Sequence, residues 1–169
     1  MTDEILHAPR RLEKGDDRSR FASGADELDS WFQRFSLENQ QATNAVTYVS
    51  VRDGVVLGYY AIAMSAYATG GLPGRFQKNR PIETPCILLA RLAVDVTAQG
   101  QGVGAALLRH AMERSFKLSQ GVGAAALLIH CRDDTAKAFY LANGELLESP
   151  LEPMHLILSL KEIRRRVTG

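Results

Sequence analysis

Hydrophobic positions change period several times along the chain, and each change marks an element. Over residues 24–40, GADELDSWFQRFSLENQ, the residues Leu28, Trp31, Phe32 and Phe35 share one face of a 3.6-residue repeat, which predicts an amphipathic helix. Residues 45–66 change to a strand-like pattern interrupted by Asp53-Gly54. That dipeptide predicts a hairpin, because both turn residues must tolerate positive φ. Residues 68–85 hold three glycines and three prolines without a period, which predicts a long loop of the kind that is often functional or mobile. The runs CILLARLAVD (86–95) and AAALLIHC (124–131) predict buried strands. Between them, Val103, Ala106, Leu107, Ala111 and Leu118 fall near one face of a helix. DDTAKAFYLANG (133–144) predicts a short helix, capped by Asp133 or Asp134 and ended by Gly144. HLILSL (155–160) predicts a final strand, followed by the basic run KEIRRR. Strands mixed with helices place the chain in the α/β class, and 169 residues fit one domain over 1–169.

Composition removes several function classes. The 46% hydrophobic content is enough for a core without covalent staples. The two cysteines, Cys86 and Cys131, form no CxxC and no metal-ligand spacing, which suits a reducing compartment. The four histidines, at 7, 110, 130 and 155, are scattered and imply no metal. No apolar signal core opens the chain and no run of about 18 apolar residues follows, so a cytoplasmic protein with no membrane association is expected. A net charge of +1 excludes a strong non-specific grip on nucleic acid, although local basic clusters can still act.

The candidate chemistry begins at QGQGVGAALLRHAMERS (99–115), where a Gly-rich turn leaves a strand and opens a helix. Free amides and the helix dipole at such a point suit a phosphate, and glycine lets the backbone come close to it. A tight turn that binds nothing is the plain alternative. A Walker loop is ruled out, since no GK[ST] follows. Gly100-x-Gly102-x-x-Ala105 fits a dinucleotide fingerprint formally, but too few strands follow for a doubly wound sheet, and no acid stands about 20 residues on. The third candidate is a coenzyme A pyrophosphate loop. Gln99-x-x-Gly102-x-Gly104 resembles the Q/R-x-x-G-x-G/A pattern of the GNAT superfamily of N-acetyltransferases. LARLAVD (89–95) stands where that family's splayed central strand would, and AKAFYLANG (136–144) resembles its later A-x-x-F-Y-x-x-x-G helix. The resemblance covers most of the chain. It implies a GNAT fold, with a central mixed, mostly antiparallel sheet splayed at the acetyl-CoA site and flanked by helices.

A narrower resemblance joins FASGADELDSWF, VVLGYYAIA, RLAVDVTAQGQGVGAALL, DDTAKAFY and LEPMHLILSLKEI. Together these are similar to the acetyltransferase toxins of bacterial type II toxin–antitoxin modules. The resemblance implies acetylation of the α-amino group of aminoacyl-tRNA, with acetyl-CoA as donor and no metal. It also implies a ribbon-helix-helix antitoxin as partner, operator DNA bound only through the toxin–antitoxin complex, and a homodimer. One departure is Asn143-Gly144-Glu145, where the family often has an aromatic residue after the glycine.

The same resemblance assigns roles. Backbone groups of Leu92, Ala93 and Val94 would hold the acetyl and pantetheine portion, and an N–H near Val94 would polarise the thioester oxygen. Gln99, Gly100, Gln101, Gly102, Val103, Gly104 and Ala105 would cradle the pyrophosphate. Tyr140 would protonate the departing thiolate, against the plain alternative of a tyrosine that only packs. Phe139 is expected in core or coenzyme packing. An α-amino group titrates near neutrality, at about 7.7–8.0, so no strong base is required. His110 and Cys131 are expected to be structural, and His130 is a lesser candidate for facing the site. A tRNA acceptor calls for phosphate contacts from Lys and Arg. The candidates are Arg75, Lys78 and Arg80 in the loop, the N-terminal Arg10, Arg11, Lys14, Arg18 and Arg20, and the tail Lys161 and Arg164–Arg166; each group reads equally as a solvated face. A GNAT enzyme for a small amine or a protein N-terminus is the alternative function, and a non-catalytic acyl-CoA-binding module is a third.

Overall fold

The computed structural model describes residues 8–162. The strands are β1 (Arg10–Arg11), β2 (Val46–Arg52), β3 (Val55–Ala68), β4 (Glu83–Val94), β5 (Ala126–His130), β6 (Leu147–Glu148) and β7 (His155–Ser159). The α-helices are α1 (Asp26–Arg34), α2 (Ser36–Gln41), α3 (Val103–Gly121) and α4 (Asp134–Asn143). The strand order β1-β2-β3-β4-β5-β7-β6 is that of a seven-stranded mixed sheet. The β1–β2 and β2–β3 pairs are antiparallel, β4–β5 is parallel, and β5–β7 and β7–β6 are antiparallel. Residues 164–166 of the expected basic tail lie outside the described residues.

The chain divides into two compact units. One comprises the described residues up to Ala63 together with Ala90–Ala111. Its hairpin turns at Asp53 and Gly54 with φ of 51° and 78°, as the Asp-Gly signal predicts. The helix expected over 24–40 is broken in two at Phe35, whose side chain is 46% exposed instead of sharing the buried face. The cause is local. Ser36 Oγ donates to the Phe32 carbonyl at 2.6 Å, a back-bond that competes with the helical ladder and bends the axis. The Arg18 guanidinium then caps the freed carbonyls of Phe32 and Gln33. The core of this unit is aromatic. Phe32 and Tyr59 stack at 4.4 Å, and Phe21 meets both rings edge-on. Val49, Val56 and Ala93 pack around them.

The second unit comprises Met64–Leu89 and the described residues from Met112 onward. Strand β5 is buried over Ala126–Ile129, as a strand with a parallel neighbour in a covered sheet should be. Leu72, Cys86, Leu128 and Ile157 form the core beside it. The expected long loop is shorter and tied down. It holds two 3₁₀ turns, at Thr69–Gly71 and Gly74–Phe76, and β4 already begins at Glu83. Thr69 N–H donates to the Ile82 carbonyl at 2.9 Å, Ser149 Oγ donates to the Gly71 carbonyl at 2.6 Å, and Leu72 fills the core. Helix α4 starts as expected, with the Asp133 carboxylate accepting from Ala136 N–H at 2.8 Å. Gly144 ends it, but with extended backbone and no left-handed cap. A Cβ there would lie 2.6 Å from Met112 Cε, the flexible end of a side chain that can shift to make room.

Helix α3 runs through both units. Val103, Leu107 and Ala111 are buried as predicted, with Leu108 and Ser115 beside them, whereas Leu118 is exposed.

Candidate active site

In the first unit β4 ends at Val94, and alternation along it separates two roles. Ala93 points into the core, while Leu92 and Val94 are half-buried on the opposite face. The parallel pairing with β5 ends at Leu89–Ile129, and β4 continues past that pair to Val94, where the expected splay falls. Asp95 then anchors the turn. Its carboxylate accepts from Ala22 N–H at 2.9 Å, Thr97 N–H at 3.0 Å and Thr97 Oγ1 at 2.6 Å. Burial pushes its pKa up, but the Thr97 hydroxyl and the Ala22 and Thr97 amides outweigh burial and hold it below the usual carboxylate range.

Asp95→Ala would leave two backbone N–H groups without an acceptor, with an expected loss of about 1–3 kcal/mol in denaturant unfolding. Because the folded pKa is depressed, the Asp95 contribution is present above the unfolded value of about 3.9 and is lost as pH falls through the folded value. The stability gap between wild type and Asp95→Ala should therefore narrow only at strongly acid pH.

Gly100 and Gly102 adopt φ of 76° and 83°, the left-handed region that side chains resist. Their use in the loop is thus conformational first. The first ladder bond of α3 is Ala106 N–H to the Gly102 carbonyl at 3.1 Å. Helix geometry leaves Val103, Gly104 and Ala105 N–H without an intrahelical acceptor. The first turn of α3 contains no acidic residue, whereas that of α1 contains three. Dipole, free amides and absent carboxylates together suit an anion, so these residues fit a pyrophosphate. The Gln99 side chain holds the loop in place. Its side-chain amide donates to the Ser23 carbonyl at 2.8 Å and the Val94 carbonyl at 3.0 Å, fixing the loop to the chain on either side. Gln101 Nε2 reaches the Thr97 carbonyl at 3.2 Å. Behind the loop, Gly58 lets the helix seat: a Cβ there would lie 2.8 Å from Leu107 Cδ1 and 3.1 Å from the Ala93 carbonyl. Neither Asp95 nor Gly58 was selected from sequence. The Asp-x-Thr spacing is the one signal that could have marked Asp95.

In the second unit Tyr140 lies on α4 and is 8% exposed. Burial raises its pKa well above that of an ordinary phenol, and the nearby Cys131 adds to the effect. The hydroxyl therefore keeps its proton throughout the neutral range. Phe139 meets the Tyr140 ring edge-on at 5.3 Å and is half-buried. Burial also raises the Cys131 thiol, which favours its protonated form at neutral pH. His130 is exposed at the end of β5, its ring stacked on His155 at 3.9 Å. His155 Nδ1 and the Tyr67 hydroxyl share a 2.8 Å hydrogen bond. Burial and then the neighbouring His155 lower the His130 pKa. His110, in the first unit, is structural, since its Nδ1 shares a 2.6 Å hydrogen bond with the Tyr60 hydroxyl. No cluster of metal-ligating side chains occurs among the described residues.

The basic candidates separate sharply. Arg10 is bidentate to Asp16 at 2.9 and 2.7 Å, and Arg18 caps α1. Arg75 pairs with Glu162 at 2.7 Å and lies over the Phe76 ring. Arg80 Nε donates to the Phe76 carbonyl at 3.2 Å. Lys78, Arg11, Lys14 and Arg20 are exposed. The loop arginines are thus half-committed to their own chain, which sequence could not show because the partners are distant or main-chain groups.

Comparison with known proteins agrees with this geometry. Residues 10–144 match the model of the Acetyltransferase (GNAT) family. A tRNA-acetylating toxin of Mycobacterium tuberculosis is 40% identical over 157 residues, covering 93% of this chain and 94% of the relative. A structure of AtaT complexed with acetyl-methionyl-tRNAfMet superposes with a TM-score of 0.86 at 28% identity, over 94% of this chain and 98% of that one. A tyrosine-to-phenylalanine mutant of AtaT, bound to the C-terminus of the antitoxin AtaR and acetyl-CoA, gives 0.79 at 25% identity, over 95% and 97%. Sheet order, glycine turn and family match converge on one assignment: the chain belongs to the GNAT family of acetyltransferases.

Proposed function

We propose that the chain moves an acetyl group from acetyl-CoA to the α-amino group of aminoacyl-tRNA, stopping translation as the toxin of a toxin–antitoxin pair. The observation that carries this is 40% identity along nearly the whole chain to a tRNA-acetylating toxin. Residues 1–169 act as one GNAT domain, in the cytoplasm, where charged tRNA is used. No helix among the described residues is long and apolar enough to cross a membrane. The partner is an antitoxin with a ribbon-helix-helix domain, operator DNA is reached through it, and the toxin is a homodimer. The AtaT–AtaR complexes support a partnership of this type.

Each residue then has a task. Val103, Gly104 and Ala105 N–H bind the pyrophosphate, aided by the α3 dipole. The Leu92–Val94 backbone holds the pantetheine arm, and Val94 N–H polarises the thioester oxygen. The neutral amine attacks the carbonyl carbon, so an N–C bond forms as the C–S bond breaks. Tyr140 gives its proton to the sulfur, and the proton leaving nitrogen passes to water. Juxtaposing two bound substrates supplies much of the rate. The first assay is transfer of labelled acetyl from acetyl-CoA to a pool of charged tRNAs, with deacylated tRNA as control. Label on the aminoacyl group is expected. Label on small amines or peptide N-termini but not on charged tRNA would replace this reading with a different GNAT acceptor.

A further inference from the structure

Arg91 is the residue whose surroundings the family assignment leaves unexplained. It is half-buried on β4, and its guanidinium carbon lies 4.3 Å from the centre of the Trp31 ring. Trp31 is held near-parallel to Tyr59, with centroids 6.1 Å apart and planes at 19°. Tyr59 is fixed in turn by its hydroxyl, which donates to the Leu28 carbonyl at 2.7 Å. The guanidinium thus rests on a rigid aromatic stack, oriented before any ligand arrives. Among the described residues it has no carboxylate within ion-pair distance and makes no hydrogen bond. Arg10, Arg18, Arg75 and Arg80 all have partners in the chain.

The contact with Trp31 offsets part of the cost of half-burying this cation, but its N–H donors have no acceptor among the described residues. Stacking occupies one face of the guanidinium and leaves its edge, which matches two oxygens of a phosphate in a bidentate fork. We propose that Arg91, presented on Trp31, binds a phosphodiester at the 3′ end of the RNA acceptor. The assignment rests on the aminoacyl-tRNA reading above. Position on the strand supports it. Arg91 precedes Val94 by three residues, about 10 Å along a strand. The bonds from an aminoacyl α-nitrogen through the ester and ribose to the terminal nucleotide's phosphate also span on the order of 10 Å when extended. An amine at the Val94 end of β4 can therefore place its own phosphate at Arg91.

Coenzyme A carries phosphates too, so the test must separate donor from acceptor. Steady-state kinetics of wild type, Arg91→Gln and Arg91→Lys would use charged tRNA and, separately, an aminoacyl-adenosine without a 5′-phosphate. Acetyl-CoA affinity would be measured by titration, and folding by thermal unfolding. With charged tRNA, Arg91→Gln should raise KM about 10- to 100-fold and reduce the slope of log affinity against log salt by about one. Arg91→Lys, which keeps charge but not the fork, should fall between. Neither change should alter turnover of the phosphate-free acceptor or acetyl-CoA affinity. A weakened acetyl-CoA affinity in Arg91→Gln overturns the proposal, because the phosphate is then the donor's. Wild-type KM and salt slope in a folded Arg91→Gln overturn it while leaving the tRNA reading intact. A wild type inactive on charged tRNA overturns that reading and this assignment with it.

Discussion

Replacing Tyr140 with phenylalanine is expected to lower kcat by about 10²–10⁴-fold, with acetyl-CoA affinity and thermal stability unchanged. The substitution removes one oxygen, and the ring keeps its place against Phe139. The loss should appear in kcat, since the proton is needed only as the C–S bond breaks. The raised pKa of the phenol is compatible with this role. An acid must begin protonated, and burial keeps Tyr140 so. The same burial strengthens the hydrogen bond to a sulfur gaining charge in a dry setting. A pH profile follows with its sign fixed. Activity should rise through the amine pKa, about 7.7–8.0, as the nucleophile loses its proton, and stay level to about 10, the ordinary tyrosine value, because the folded phenol has not ionised. Single-turnover rates against pH would check this. A fall beginning below about 10 would show a phenol that is less shielded than the structure has it, and full activity in Tyr140→Phe would return the residue to packing alone.

Gly58→Val is the second large effect, and it acts on binding through packing. A Cβ at this position already lies 2.8 Å from Leu107 and 3.1 Å from both Val103 Cγ1 and the Ala93 carbonyl. Valine adds two methyl groups between β3 and the first turns of α3. Leu107 can rotate, but the carbonyl belongs to the strand and cannot. Overpacking of this kind costs about 1–3 kcal/mol. It should also push the free amides of Val103–Ala105 off their line, so acetyl-CoA affinity should fall together with the unfolding midpoint. Gly58→Ala should show a smaller version of both. Stability loss with unchanged acetyl-CoA affinity would mean that the start of the helix does not depend on this seat.

Much of this architecture could be read in the residues because the signals were local. The Asp53-Gly54 hairpin, the apolar runs of β4 and β5, the Asp133 cap and the glycine turn each depend on neighbours in the chain. What could not be read has a physical reason in each case. The break at Phe35 comes from a serine hydroxyl choosing a carbonyl over solvent. The strands β1 and β6 have two residues each and are too short for any period. Leu118 was placed on the buried face by a spacing that says nothing of where the neighbouring elements end. At the site, the motif spacing points to the glycine turn and to Tyr140, but it cannot show the ties of the Gln99 side chain, whose partners stand 76 and 5 residues away. The pairing of Arg75 with Glu162 cannot be read from the sequence because the two are 87 residues apart. Arg91 stands inside the motif LARLAVD, but its stack on Trp31, 60 residues away, has no signal in the sequence.

The ties among Ala22, Ser23, Asp95 and Gln99 have a consequence for how the protein is made. Ala22 N–H meets the Asp95 carboxylate, Val96 N–H meets the Ala22 carbonyl, and Gln99 meets the Ser23 carbonyl. These contacts close a span of 73 residues in the case of Asp95. Contacts of such high sequence separation form late, since the ordering entropy of the intervening chain must be overcome first. During synthesis these groups of Ala22 and Ser23 lack their partners until the ribosome has delivered Asp95 through Gln99. A nascent chain on which translation stops before that point would hold the hairpin and aromatic cluster without a closed coenzyme turn, and so without the anion site at the start of α3.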